Sequence, residues 1–377
     1  MRYLLAIDSF KGCLSSVEVE KTVETALGEM GAEVVSIPMS DGGEGMLEAF
    51  TNALGGSFVD VTVHDPMMRR ITAQYGMTAD GTSIIETSKA CGLTLMTAGE
   101  LNPMIATSYG VGELLAHAMK SGCTNHVIGL GGSGTSDCGI GMLRSLIDVF
   151  ACGGTFDSVM PMLRNHHFIL ASDVRNVLYG PHGAAFTFGR QKGATYAMQT
   201  ALDSRDRTFA RMSAEHFGFD KSSLPGAGAA GGLGYAFMQY LSAEPASGAD
   251  ILLDLCGFDS LVADVDIVIT GEGNADRQTL MGKLPERVLV RATRHNKPVW
   301  LMAGKVSDGD TLHKAGFTVV DAITPSGMPL SEAVKPDNAR HNIRRWIESH
   351  ALLRWSPHIP VKKIITSPPP HGVSSKT

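Results

Sequence analysis

Short apolar runs alternate with helical patterns at the start of the chain. Residues 4–7 form an apolar run, and residues 15–18 have the S-x-x-E spacing of a helix capping box. From residue 19 to residue 30 the apolar positions recur with helical spacing, and residues 34–37 form a second apolar run. This order predicts a strand, a helix and a second strand that lies parallel to the first.

Similar apolar runs recur through the rest of the chain, most of them followed by glycine, small or acidic residues. They occupy residues 126–130, 168–171, 266–270, 298–303 and 317–320. Parallel strands end at one edge of their sheet, and open α/β sheets bind ligands at that edge. We therefore expect Asp8 and Asp41, which follow the first two runs, to be neighbours at such an edge.

The length of 377 residues is about twice that of a typical domain, which favours two domains with a cleft between them. The last apolar runs resemble the first strand–helix–strand unit. We therefore predict an α/β fold in which both chain ends, residues 1–65 and 285–355, form one Rossmann-like parallel-sheet domain. Residues 66–284 are then an inserted α/β domain. The tail, residues 356–377, lacks apolar periodicity, so we expect it to be disordered and non-catalytic.

The composition favours a small ligand as the main partner. The chain has 43 glycines, 6% aromatic residues and a formal net charge of -6, which argues against nucleic acid or an anionic membrane as a partner. The six cysteines form no C-x-x-C pair, so we interpret them as reduced thiols and not as a zinc site. No apolar stretch is long enough to span a bilayer, and we expect a cytoplasmic protein. A homo-oligomer remains open.

Two glycine-rich segments have the composition of phosphate-binding loops. Residues 129–137 follow an apolar run and precede a helical pattern, so backbone N–H groups and a helix N-terminus are expected to converge there on an anion. The same segment satisfies G-x-G-x-x-G, a weak dinucleotide signal, but no clear second strand ends in an acid that would hold a ribose. Residues 225–234 are the second segment, with tight helix packing as the alternative interpretation.

Carboxylates and lysines complete the candidate chemistry. The acids that follow predicted strands are Asp8, Asp41, Glu44, Asp173, Glu272 and Asp276. Phosphoryl transfer uses carboxylates to hold Mg²⁺ and to orient or deprotonate the accepting hydroxyl group. Three lysines beside glycines, Lys11, Lys192 and Lys283, would offset the negative charge of the reactants.

Several of these segments together resemble the bacterial glycerate kinase family, class I. The first are residues 8–12, 41–45 and 131–133. The later ones, in the same order and at similar spacing, are residues 173–174 with 180–181, 191–194, 228–234, and 270–273 with Asp276 and 278–279. The sequence departs from the family pattern at Arg175, Val177 and Arg190, where the substrate preference or the turn geometry is open to change.

The resemblance implies ATP-dependent phosphorylation of D-glycerate, with 2-phosphoglycerate as the usual product, in the central cleft of a two-domain scaffold. ATP and Mg²⁺ are the implied cofactors. The implied catalytic residues are Lys11, Asp41, Asp173 and Lys192, and the implied substrate contacts are Asp8, Ser9, Glu44 and Gln191. The implied nucleotide contacts are Gly131, Gly132, Ser133, Gly228, Gly231, Gly232 and Lys283, and the implied metal ligands are Glu272 and Asp276.

Other interpretations remain open from the sequence. An NAD-dependent dehydrogenase would use residues 129–134, a glycerate kinase of other regiochemistry would give 3-phosphoglycerate, and a non-catalytic protein would sense a phosphorylated metabolite. Among the site residues, helix capping would explain the set Asp8, Ser9, Lys11, Asp41 and Glu44. Solvation at the surface would explain the set Asp173, Gln191 and Lys192.

Overall fold

The computed structural model describes residues 1–10, 12–37, 39 and 45–355. The predictions for Lys11, Asp41 and Glu44, and the prediction of a disordered tail over residues 356–377, lie outside the described residues. The six cysteines are all free thiols, as the sequence indicated. In the described part of the chain, no helix combines the length and the apolar character that a membrane span requires.

The described strands and helices alternate along most of the chain. The strands are β1 (Arg2–Ile7), β2 (Glu33–Ser36), β3 (Ser57–His64), β4 (Arg70–Met77), β5 (Thr82–Glu86), β6 (Asn125–Gly129), β7 (His167–Ala171), β8 (Glu244–Ala246), β9 (Ile267–Ala275), β10 (Val299–Val306) and β11 (Val319–Ala322). The helices are α1 (Ser16–Glu29), α2 (Met46–Ala53), α3 (Ser88–Cys91), α4 (Tyr109–Lys120), α5 (Ile140–Phe150), α6 (Met160–Leu163), α7 (Ala184–Phe188), α8 (Tyr196–Phe217), α9 (Leu233–Leu241), α10 (Gly248–Leu255), α11 (Phe258–Ala263), α12 (Leu284–Arg294), α13 (Gly309–Ala315), α14 (Leu330–Ala333) and α15 (Pro336–Trp355).

The described strands form two sheets. One has the order β11-β10-β9-β1-β2, and all of its neighbouring strands are parallel. The other has the order β3-β4-β5-β6-β7-β8, in which β3, β4 and β5 pair antiparallel and β5 to β8 pair parallel. The predicted α/β fold class is confirmed.

Two strands lie in a different sheet from the one that the predicted domain boundaries imply. The predicted boundaries include β9 in the inserted segment, but β9 pairs between β1 and β10 at the centre of the first sheet. They include β3 in the N-terminal segment, but β3 pairs with β4 of the second sheet. The apolar run of β9 shows that the strand is buried on both faces, and it carries no information on which sheet buries it. The division into two domains stays a prediction.

The first strand–helix–strand unit forms as its pattern predicts. The Ser15 hydroxyl accepts the Glu18 N–H at 3.3 Å, and the Glu18 carboxylate accepts the Ser15 N–H at 2.9 Å, which completes the capping box of α1. The apolar stripe of α1, including Val23 and Leu27, is buried with Ile343 of α15 on one face of the first sheet. Truncating one of these buried aliphatic side chains to alanine costs about 2–5 kcal/mol. This packing fixes the carboxyl end of β1, where the site begins.

Candidate functional site

The carboxyl ends of β1, β9, β10 and β11 open into a single cleft of about 910 Å³. The predicted site residues that line it are Asp8, Ser9, Asp173, Glu272, Asp276 and Lys283. Asp173 follows β7 of the second sheet, Glu272 lies inside β9 near its end, and the others follow strands of the first sheet, so both sheets contribute acids. We call this space the strand-end cleft.

Parallel pairing of β1 with β9 places Asp8 beside the acidic end of β9. Ile7 is opposite Gly271 in the register, and the Asp8 N–H donates to the Gly271 carbonyl at 3.0 Å. On the other side of β9, Gly271 lets β10 pack closely, because a Cβ there would lie 2.3 Å from the carbonyl oxygen of Met302. The Asp8 carboxylate also accepts the Ser9 N–H at 2.7 Å, which turns the chain into the cleft.

A hydroxyl group joins two acids at the end of β9. The Thr279 hydroxyl accepts the Asp276 N–H at 2.9 Å and donates to Glu272 Oε1 at 2.6 Å. The other Glu272 oxygen receives Lys283 Nζ at 3.0 Å. Thr279 is fully buried, so this network holds two carboxylates and one ammonium group at the cleft wall. The sequence predicted the acids and Lys283 but missed Thr279 as the residue that connects them.

The other end of the strand-end cleft is apolar. Ile323 after β11 is buried, and Met328 also lines the wall. Leu330 and Val334 lie at the rim and are 77% and 37% exposed. The cleft therefore has one charged half and one aliphatic half.

The predicted anion site at the start of α5 is filled by the protein's own carboxylate. Asp137 Oδ2 accepts the N–H groups of Ser108 at 2.8 Å and Gly141 at 3.1 Å, and its Oδ1 accepts the Gly139 N–H at 3.1 Å. The Ser108 hydroxyl also donates to Asp137, at 2.9 Å. Because a negative charge already occupies this helix N-terminus, it is not open to a dinucleotide pyrophosphate.

The two glycine-rich segments pack against each other and their surroundings at backbone distance. A Cβ on Gly231, whose φ is +66°, would lie 2.1 Å from the Thr135 carbonyl oxygen, and one on Gly228 would lie 2.3 Å from the Val177 carbonyl oxygen. A Cβ on Gly232 would lie 2.8 Å from Cys138 Cα. Tight packing, the alternative interpretation of residues 225–234, thus accounts for these glycines. Their predicted nucleotide contacts stay predictions.

Lys192 lies inside the protein, where it holds the first glycine-rich segment. It is 2% exposed, and its Nζ donates to Ser133 Oγ at 2.9 Å and to the Thr135 carbonyl at 2.6 Å. Burial lowers the pKa of Lys192 to about 8 and raises the pKa of the neighbouring Asp206 carboxyl to about 8. Its neighbour Gln191 is exposed.

The structure therefore brings together only part of the predicted set. Within the described residues, the lining of the strand-end cleft does not include Gln191, Lys192 or the predicted glycines and Ser133. Surface solvation is wrong as an explanation of Lys192, because its ammonium group is buried among hydrogen-bond acceptors. The predicted substrate contacts of Lys192 and Gln191 stay predictions.

Glu86 is a buried acid at the edge of the second sheet that the sequence analysis missed. It ends β5, is 1% exposed, and accepts the Ser88 hydroxyl at 2.7 Å and the Leu47 N–H at 3.2 Å. Leu47 lies in the first turn of α2, just after the segment that carries Asp41 and Glu44. An acid directly after the apolar pair at residues 84–85 was the available signal.

Comparison with known proteins identifies the family. The model of the glycerate kinase family matches residues 3–151 and 154–354. This chain belongs to the glycerate kinase family. The expected enzyme class, a glycerate kinase of the phosphotransferases, is confirmed at the level of the family. The dehydrogenase alternative loses its support, since its proposed pyrophosphate site holds Asp137.

Curated members of the glycerate kinase family align with nearly the whole chain. The glycerate kinase of Bacillus subtilis (strain 168) is 37% identical over 354 residues, which are 88% of this chain and 93% of the relative. The glycerate 2-kinase of Escherichia coli (strain K12) is 36% identical over 356 residues, 89% of this chain and 93% of the relative. A crystal structure from Salmonella typhimurium LT2, assigned as a glycerate kinase 2, superposes with a TM-score of 0.81 at 34% identity and covers 94% of this chain and 98% of its own.

Proposed function

We propose that this chain transfers the γ-phosphoryl group of ATP to the 2-hydroxyl group of D-glycerate and forms 2-phosphoglycerate. The observation that carries the proposal is the strand-end cleft, in which acids from both sheets meet Lys283. Membership of the glycerate kinase family supports the reaction class. The relative from Escherichia coli, named as a glycerate 2-kinase, supports the choice of hydroxyl group.

The size of the strand-end cleft supports two ligands. Ligand pockets commonly occupy about 300–1,000 Å³, and the cleft, at about 910 Å³, lies near the upper end of that range. A three-carbon acid would leave most of this space filled with water. A nucleoside triphosphate beside glycerate uses both the charged and the aliphatic half.

Lys283 and the start of α12 are suited to the phosphate groups. The Lys283 ammonium group is held at the cleft by Glu272, 3.0 Å away, and Lys283 and Leu284 at the N-terminus of α12 both line the cleft. Unpaired N–H groups at a helix N-terminus stabilise anions, and a lysine adds a full positive charge. Both would stabilise the negative charge of the transferring phosphoryl group in the transition state more than the charge of the bound substrate in the ground state.

The residues that follow β9 fit a magnesium ion shared with ATP. Mg²⁺ is usually bound through one or two carboxylates, with phosphate oxygens and water completing its shell. Within residues 1–10, 12–37, 39 and 45–355, no group of three or more His, Cys, Asp or Glu side chains is placed to hold a metal ion. Glu272 and Asp276, fixed through Thr279, are the carboxylates that we propose for it. Bound there, Mg²⁺ would neutralise phosphate charge.

The acceptor is proposed to lie toward Asp8, Ser9 and Asp173, between the two sheets. A carboxylate on this side would orient the glycerate hydroxyl group and take its proton as the phosphoryl group transfers. Asp41 is the other carboxylate that the sequence predicts for this role, with Lys11, Glu44 and Gln191 as further contacts. For Lys192 the buried position favours a supporting role, because its ammonium group fixes residues 133–135.

The experiment that tests the proposal measures ADP release from ATP and Mg²⁺ with D-glycerate present or absent, and separates 2- from 3-phosphoglycerate by phosphorus NMR. Lys283→Ala and Asp276→Asn are each expected to lower turnover by at least about tenfold, the loss of one transition-state contact. Lys314→Ala on α13 and Asp264→Asn beyond α11 are the matched controls, since both residues are exposed and lie outside the cleft lining.

Three results would contradict the proposal. The first is the oxidation of NAD(P)H without ADP release, which is the activity of a dehydrogenase. The second is a rise in melting temperature with a phosphorylated metabolite but no turnover, which indicates a sensor. The third is full activity in both cleft variants, which would place the chemistry elsewhere.

A further inference from the structure

We infer that the aliphatic half of the strand-end cleft binds the purine base of the nucleotide, with Leu330 and Val334 as the residues that cover it. The inference rests on the proposed function, and it assigns the two halves of the cleft to different parts of one ligand. Neither half alone matches both chemistries that ATP presents.

Aliphatic side chains are exposed to solvent inside the strand-end cleft. Leu330 is 77% exposed and Val334 is 37% exposed, yet both belong to the cleft lining beside the buried Ile323. Leaving such surface in water costs free energy that an apolar ligand would recover on binding. The cleft is therefore shaped for an occupant with an apolar face at this end.

The two substrates differ in the apolar surface that they can offer to these side chains. Every carbon of glycerate carries an oxygen, so glycerate has no apolar face to place against Leu330. The purine base of ATP is flat and largely apolar on both faces, and it is the only such part of either substrate. The aliphatic half thus fits the base, and the charged half at Glu272 and Lys283 fits the phosphate groups.

The cleft wall that the base would contact is held in place by hydrogen bonds. The Ile323 N–H donates to the Ala303 carbonyl at 2.8 Å, which continues the sheet beyond β11. The buried Asn342 of α15 approaches the Met328 sulfur at 3.6 Å, so this thioether is held in place at the wall. Thioethers make favourable contacts with aromatic rings. Thr324, which also lines the cleft, offers a hydroxyl group to the base edge or the ribose.

The test separates the base from the phosphates. ADP affinity is measured by isothermal titration calorimetry, and inorganic tripolyphosphate, which has the charge but no base, is measured as an inhibitor of the ATP reaction. The variants are Leu330→Ala, Val334→Ala and their combination, and Leu255→Ala on α10 is the matched control, since Leu255 is 40% exposed and outside the cleft lining.

We expect the double variant to bind ADP about tenfold more weakly, which corresponds to about 1.4 kcal/mol. The KM for ATP should rise in parallel, while kcat, the KM for glycerate and the tripolyphosphate inhibition constant stay unchanged. Leu255→Ala should match the wild type in all of them. The aliphatic positions are exposed, so the melting temperature of each variant should stay close to that of the wild type.

Two outcomes would overturn the inference while the proposed function stands. One is unchanged ADP affinity in the double variant of an active enzyme, which places the base elsewhere. The other is an equal loss of ADP and tripolyphosphate affinity, which indicates a distorted cleft and no contact with the base. A wild-type protein that neither binds ADP nor turns over ATP would instead remove the proposed function itself.

Discussion

Replacing Asp137 tests whether the first glycine-rich segment is a phosphate site or a packed structural turn. In the structure its carboxylate caps α5 and also accepts the N–H and hydroxyl groups of Ser108. Asp137→Ala removes the acceptor of three backbone N–H groups, those of Ser108, Gly139 and Gly141. Asp137→Asn keeps one oxygen for some of these donors but turns an NH₂ group toward the rest.

The structure sets the size of the expected loss. A buried group left without its hydrogen-bond partner costs about 1–3 kcal/mol, and the interaction of a carboxylate with a helix N-terminus contributes about 0.3–1 kcal/mol more. Ser108 is fully buried, but Asp137 itself is half-buried, so water will reach some of the vacated donors. We therefore expect Asp137→Ala to lower the free energy of unfolding by about 4 kcal/mol, and Asp137→Asn by about 2 kcal/mol.

The assay is equilibrium urea denaturation followed by circular dichroism, with kcat and the KM for ATP measured on the same samples. Asp148→Ala at the other end of α5 is the matched control. Asp148 forms a partly exposed ion pair with Arg144 at 3.0 Å and accepts the Tyr109 hydroxyl at 3.2 Å, and the two contacts together contribute about 1–2 kcal/mol. Under native conditions the Asp137 variants should keep the KM for ATP of the wild type.

One pattern of results would contradict the structural role of Asp137. Suppose the free energy of unfolding of Asp137→Ala lies within about 1 kcal/mol of the wild-type value, while its KM for ATP is strongly raised. The helix N-terminus would then face the nucleotide. The first glycine-rich segment would then be the phosphate-binding loop that its sequence pattern indicates, and not a packed structural turn.

Two further predictions concern buried polar groups. Thr279→Val removes both hydrogen bonds that align Asp276 and Glu272, so we expect kcat to fall by about tenfold. Thr279→Ser keeps the hydroxyl group and should retain most of the activity. Equal activity in the two variants would show that the network does not position the acids. Burial raises the pKa of the Glu20 carboxyl well above its usual range, so the folded state keeps it neutral while the unfolded state ionises above about pH 4.3. The free energy of unfolding contributed by this group therefore falls as pH rises from that value toward the folded pKa. Urea denaturation should show Glu20→Gln more stable relative to the wild type at pH 8 than at pH 5, and a difference that does not change with pH would contradict the buried neutral carboxyl.

Residue spacing alone predicts the local elements and the sheet edges at which acidic residues collect. Helix α1 begins at the predicted capping box of Ser15 and Glu18, because capping depends only on residues three positions apart. Acids at the ends of apolar runs, such as Asp8 and Glu272, line the cleft because the end of a strand lies at the edge of its sheet. Local spacing is enough for both inferences.

The segments that meet in the fold are set by contacts between residues far apart along the chain, which local spacing does not encode. The run of β9 is equally apolar in either sheet, and its place beside β1 follows from packing between residues more than 250 positions apart along the chain. The glycines of residues 228–234 have the same composition in a phosphate loop as in a tight contact, and the carbonyl group of Thr135 beside Gly231 distinguishes the two. A lysine beside a glycine likewise gives no sign of its burial, and Lys192 lies inside because its acceptors come from a segment about 60 residues away along the chain.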